Sequence, residues 1–142
     1  FRQSMFAEFE QRVHEMGSSG ESLNSEALCG IYGKLNEDYF GPDMVSDPEI
    51  SYEWERIPHF YTPFYVYQYA TGFSAAIAIS RRIMEGEPGI LEGYKRFLSG
   101  GCSMEPVELL KLCGVDMSQS RPIEQALEFF EELLDEFEVC MK

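Results

Sequence analysis

The chain has 142 residues, 44% of them hydrophobic and 25% charged, enough for one domain with a moderate core. Its net charge of -14 and the lack of any Lys/Arg cluster exclude nucleic acid as a partner, because a phosphate backbone would be repelled. No apolar run is long enough to cross a bilayer, so a membrane partner is not expected.

The first ten residues, FRQSMFAEFE, read as a helix already under way and do not begin with Met. A processed or truncated chain is therefore expected, with its function belonging to a longer parent. Phe1, Met5, Phe9, Val13 and Met16 recur at helical spacing and predict a helix over 1–16. GSSGES ends it. A second helix is predicted over 24–40, with Leu28, Ile31, Leu35 and Tyr39 on one side. Gly30 and Gly33 weaken it, so either close packing compensates or the helix is irregular. GPDMVSDPEISYEWERIP reads as a connection with one short extended piece around 50–54.

Thr62 as a cap and Pro63 at the first helical position predict a third helix over 63–84. Pro88 permits a helix near 88–98. Ser103 can cap a short one over 104–112, and Gly114 suits its C-terminal end. Ser120 and Pro122 open the last helix, 121–140, whose buried stripe is predicted as Ile123, Leu127, Phe130, Leu134 and Phe137. Its seven carboxylates between 121 and 142 read as a solvated face. Helices 63–84 and 121–140 are expected to bury their stripes against each other. No repeat or strand series is visible, so the fold class is all-α, an irregular multi-helix array.

Cys29, Cys102, Cys113 and Cys140 show no C-x-x-C pairing and read as buried or half-buried free thiols. HEMGS at 14–18 starts like the zinc signature H-E-x-x-H, which needs two imidazoles one helical turn apart. Ser18 stands where the second histidine belongs. His14 therefore reads as an ordinary residue near a helix C-terminus. With two histidines in the chain, a His-rich zinc site is not expected.

RIPHFYTPFYVYQYATGF, residues 56–73, carries the chemistry. His59 precedes the predicted cap, and Phe60, Tyr61, Phe64, Tyr65, Tyr67 and Tyr69 follow. Tyr65 and Tyr69, one helical turn apart, would share a face that Gly72 and Ala76 continue, while Tyr61 shares the loop with His59. Phenols and an imidazole can donate hydrogen bonds to an oxyanion or hold a peptide backbone. Two readings stay open on these residues: aromatic core with hydroxyls at its edge, or a binding wall.

Three separated blocks, FRQSMFAEFE, RIPHFYTPFYVYQYATGFSAAIA and YKRFLSGGCSMEPVELLKLCGVDM, resemble in order the C-terminal part of the oligoendopeptidase F branch of the thimet-oligopeptidase-like zinc peptidases. The likeness covers nearly the whole chain. It implies the C-terminal helical portion, 1–142, of a catalytic domain that cleaves short peptides in the cytoplasm. It also implies a zinc held upstream of Phe1, by the two histidines of an H-E-x-x-H helix and a later glutamate, whose missing polypeptide would be this chain's partner. No metal ligand and no cofactor is expected in the chain itself, which alone would be inactive. The likeness gives His59 contact with the peptide or the tetrahedral intermediate, makes Tyr65 and Tyr69 the phenols that act with it, and adds Tyr61 as a substrate-binding residue. Where the thimet branch has a glycine-rich loop, this chain has FYTP. An exposed aromatic face would lead the isolated chain to self-associate. The competing reading is a non-catalytic helical interaction module.

Overall fold

Each break predicted from Gly, Pro and Ser separates two helices in the computed structural model, which describes residues 1–142 and contains no strand. The order is α1 (Arg2–Ser19), α2 (Ser25–Phe40), 3-10 turns over Pro48–Arg56 and Pro58–Tyr61, α3 (Tyr67–Met84), α4 (Ile90–Gly100), α5 (Pro106–Lys111) and α6 (Arg121–Cys140). The all-α expectation is met. The chain divides into two compact units, Phe1–Ala70 and Thr71–Lys142.

The first unit forms because α1 and α2 each supply an apolar stripe. Met5, Phe6 and Phe9 of α1 meet Tyr32 and Leu35 of α2, and Ile57 and Val66 close the same cluster. The rings lock edge to face: Phe9 lies 5.2 Å from Tyr32 at 80°, and Phe6 lies 5.6 Å from Phe60 at 73°. Such pairs add about 1 kcal/mol each beyond their buried area. Asn24 caps α2, its Oδ1 accepting from the Ala27 N–H at 2.9 Å.

Glu53 is one of two buried carboxylates of this unit, with Glu10. Its Oε2 accepts from the Tyr32 hydroxyl at 2.7 Å, and its Oε1 from Arg2 at 2.5 Å and from Arg56. Burial alone would raise its carboxyl. The bonds from Tyr32 and Arg2, with the Arg2 and Arg56 charges, outweigh it and hold Glu53 below the ordinary range.

In the second unit, Ala75, Ala78 and Ile79 of α3 pack with Ile90, Cys113 and Val115. Arg82 braces the turn after α5, donating to the carbonyls of Cys113 at 3.2 Å and Gly114 at 2.8 Å. Gly114 takes φ 70 there, a conformation that a side chain would strain. At Gly93 the α4 backbone comes so close to the end of α5 that a Cβ would lie 2.4 Å from the Leu112 oxygen.

Several expectations are corrected. The piece around 50–54 is a 3-10 helix, not extended, and Ser51 closes it by donating to the Pro48 carbonyl. Helix α2 is regular through Gly30 and Gly33; a Cβ at Gly30 would meet nothing and one at Gly33 only an ordinary contact, so close packing explains neither. Helix α3 starts at Tyr67, so Thr62 is not its cap and Pro63 is not its first residue. Helix α4 starts at Ile90 after Gly89 (φ 83), and α5 follows Glu105, with no cap bond from Ser103. The α6 stripe is not buried in this chain: Ile123, Leu127, Phe130, Leu134 and Phe137 are 42% to 60% exposed. Within the second unit α6 instead holds α3 by charge, Arg81 donating to Glu132 at 2.9 Å and lying 5.1 Å over the Phe129 ring. Cys113 is buried and Cys29 half-buried, but Cys102 and Cys140 are exposed.

Candidate functional site

The site lies within the first unit, on a loop pinned at three positions. Ile57 and Val66 are buried and Phe60 packs against the same core. In a 3-10 turn, residues three apart eclipse each other. Anchoring Ile57 and Phe60 inward therefore turns His59 to the other side, where it is half-buried. Val66, fully buried, sends its neighbour Tyr65 outward, and Tyr69 follows in the first turn of α3.

Between Phe60 and Val66 the chain makes an unusual bend. Phe64 takes φ 53, the one residue other than glycine at positive φ. A bulky residue pays on the order of 1 kcal/mol there. Its N–H donates to the Glu10 Oε1 of α1 at 2.6 Å, and its ring lies 4.4 Å from the His14 ring. His14 was expected near a helix end. Helix α1 instead continues to Ser19, and His14 supports this bend from within it.

Three of the four residues singled out from sequence converge. The His59 and Tyr65 rings are parallel, 5.6 Å apart at 2°. Tyr69 stands edge-on to both, at 5.3 Å from His59 and 5.8 Å from Tyr65. The Tyr69 hydroxyl and the His59 Nε2 share a hydrogen bond of 3.1 Å, its direction set by the imidazole tautomer. The hydrogen bond with the Tyr65 phenol, followed by burial, raises the Tyr69 phenol above its usual pKa. Tyr69 thus stays protonated and able to donate. Tyr65 and Tyr69 are 39% and 42% exposed, so this ring cluster is not sealed in a core. They do not share a helix face as expected, because Tyr65 precedes α3; the bend at Phe64 brings their rings together.

Tyr61 does not join them. Its hydroxyl donates to the Glu55 carbonyl at 3.4 Å and its side chain is largely exposed. Glu10 and the Phe64 bend escaped the sequence reading, since neither a lone glutamate in a helix nor a phenylalanine at positive φ carries a local signal.

The arrangement offers hydroxyl and imidazole donors on an accessible surface, suited to a carbonyl oxygen or a peptide backbone. No three His, Cys, Asp or Glu residues are grouped to hold a metal ion. A catalytic zinc takes three protein ligands. This chain's donors do not fit one. No helix is long and apolar enough to cross a membrane.

The all-helical frame with its accessible ring cluster belongs to a peptidase fold. The model described as peptidase family M3 matches residues 1–129, and the chain belongs to that family. It is 53% identical over 97% of its length to oligopeptidase PepF of Bacillus subtilis (strain 168), of which it covers 21%. It is 46% identical over 97% of its length to the plasmid oligoendopeptidase F of Lactococcus lactis subsp. cremoris, covering 23% of that protein. The crystal structure of oligoendopeptidase-F from Enterococcus faecium superposes with a TM-score of 0.96 at 50% identity, over 99% of this chain and 27% of that one. The chain thus spans roughly a quarter or less of the relatives it matches.

Proposed function

We propose that this chain is the C-terminal helical portion of the catalytic domain of a zinc oligoendopeptidase that hydrolyses short peptides in the cytoplasm, and that His59, Tyr65 and Tyr69 act on the peptide while the rest of the polypeptide supplies the metal. The observation that carries this is the exposed contact of the three rings, with Tyr69 bonded to His59 at 3.1 Å. The family match supports the peptidase assignment.

Zinc bound by upstream residues would supply the water nucleophile. This chain's contribution is positional and electrostatic. His59 orients the peptide through its imidazole. Tyr65 or Tyr69 donates its hydroxyl to the carbonyl oxygen as negative charge develops there, and Tyr61 lies beside the loop as a further peptide contact. Stacking against His59 holds the Tyr65 ring, so little reorganisation accompanies the reaction. Alone, the chain is expected to be inactive. The exposed apolar stripe of α6 suits it to be covered by the remainder of the same polypeptide.

Losing one oxyanion donor costs about 3 kcal/mol of transition-state stabilisation. In the full-length zinc-loaded enzyme, Tyr65→Phe or Tyr69→Phe should lower kcat roughly 100-fold and leave KM within about threefold. Near-normal kcat in both variants would reject this role.

A further inference from the structure

We infer that Glu10 is a positioning residue for the ring cluster, acting through the backbone of Phe64; this rests on the role proposed above for His59, Tyr65 and Tyr69. The observations concern one bend. Phe64 is held at φ 53, where a bulky residue does not settle by itself. Only the Glu10 carboxylate, 54 positions earlier and itself 5% exposed, takes its N–H, at 2.6 Å. The ring of His14, one helical turn beyond Glu10, packs against the Phe64 ring at 4.4 Å. Tyr65 is the very next residue, and its ring lies flat on His59.

Helix α1 therefore writes the geometry of the cluster across the loop. If Phe64 relaxed to negative φ, the chain would straighten ahead of Val66. Val66 is locked in the core, so the change would be absorbed by Tyr65, which would swing off His59. The 3.1 Å Tyr69–His59 bond would lose its third ring. The effect of Glu10 is carried by the acceptor it places under the Phe64 N–H.

The test compares two replacements in the full-length zinc-loaded enzyme. Glu10→Gln keeps an acceptor oxygen at the same reach. Glu10→Asp keeps the charge but withdraws the oxygen by about one carbon–carbon bond, on the order of 1.5 Å. Expected are kcat within about threefold of wild type for Glu10→Gln and a fall of about tenfold for Glu10→Asp, with KM within threefold in both. Equal kcat for the two variants, or a loss ordered by their Tm rather than by acceptor reach, would overturn the inference. A crystal structure of Glu10→Asp keeps the two proposals separate: it should show Phe64 out of the left-handed region and the His59–Tyr65 stacking broken. If Tyr65→Phe and Tyr69→Phe leave kcat normal, the catalytic role fails while this structural readout still judges the clamp. Unchanged φ and unchanged stacking in that crystal would refute it.

Discussion

Gly93 offers a test whose sign differs from the usual expectation for glycine in a helix. Replacing a helical glycine by alanine gains about 1 kcal/mol from backbone entropy. At Gly93 the new Cβ would lie 2.4 Å from the Leu112 carbonyl oxygen and 3.2 Å from the Cys113 Cα. Both are backbone atoms at the end of α5, and neither can rotate away. Overpacking of this kind costs about 3 kcal/mol when the backbone must shift. The balance is a net loss of about 2 kcal/mol, located between α4 and α5. Hydrogen exchange followed by mass spectrometry reads it locally: the α4 and α5 amides of Gly93→Ala should exchange about 30-fold faster than wild type. Gly30→Ala is the control, since a Cβ there meets nothing and the residue is exposed. Its α2 amides should exchange a few-fold more slowly. Unchanged or slower exchange around Gly93 would show that the close approach of the two helices is not there.

Acid should weaken the first unit through Glu53. The carboxyl is held below the ordinary glutamate pKa of about 4.3, so its stabilisation is complete above that pH and lost as pH falls through the depressed folded value. Protection of α1 and α2 should drop on acidification below about pH 4, and Glu53→Gln should flatten that dependence; an unchanged acid profile would contradict it. The α6 stripe should drive self-association of the chain, and Leu127→Glu with Leu134→Glu should shift it to monomer in sedimentation velocity. A wild-type monomer at high concentration would rule that out.

Periodicity made most of the fold legible. The apolar spacing in α1, α2 and α6 follows 3.6 residues, and the Gly, Pro and Ser breaks fall between helices. Periodicity says that a face exists, however, and not what covers it. The α6 residues have the pattern of a buried stripe and are exposed in this chain. Thr62-Pro63 misled for a related reason. A cap and a first-turn proline are local signals, while the chain ahead of α3 bends at Phe64, whose N–H donates to Glu10, 54 positions away, and the helix starts only at Tyr67. In the site, the density of phenols beside His59 was enough to group Tyr65 and Tyr69 with it. Helical spacing does not explain their meeting, since Tyr65 lies outside α3 and the two rings approach across the bend. Tyr61 shares the loop with His59 in sequence, while its hydroxyl donates to the Glu55 carbonyl, away from the ring cluster.

The most direct measurement is a crystal structure of the full-length protein, prepared with zinc, bound to a peptide analogue in which a tetrahedral phosphinate replaces the scissile amide. His59 should contact the bound peptide, and the hydroxyl of Tyr65 or Tyr69 should lie within about 3.2 Å of a phosphinate oxygen, the reach of an oxyanion donor. An analogue bound at the metal with all three rings out of reach would contradict the role assigned to them.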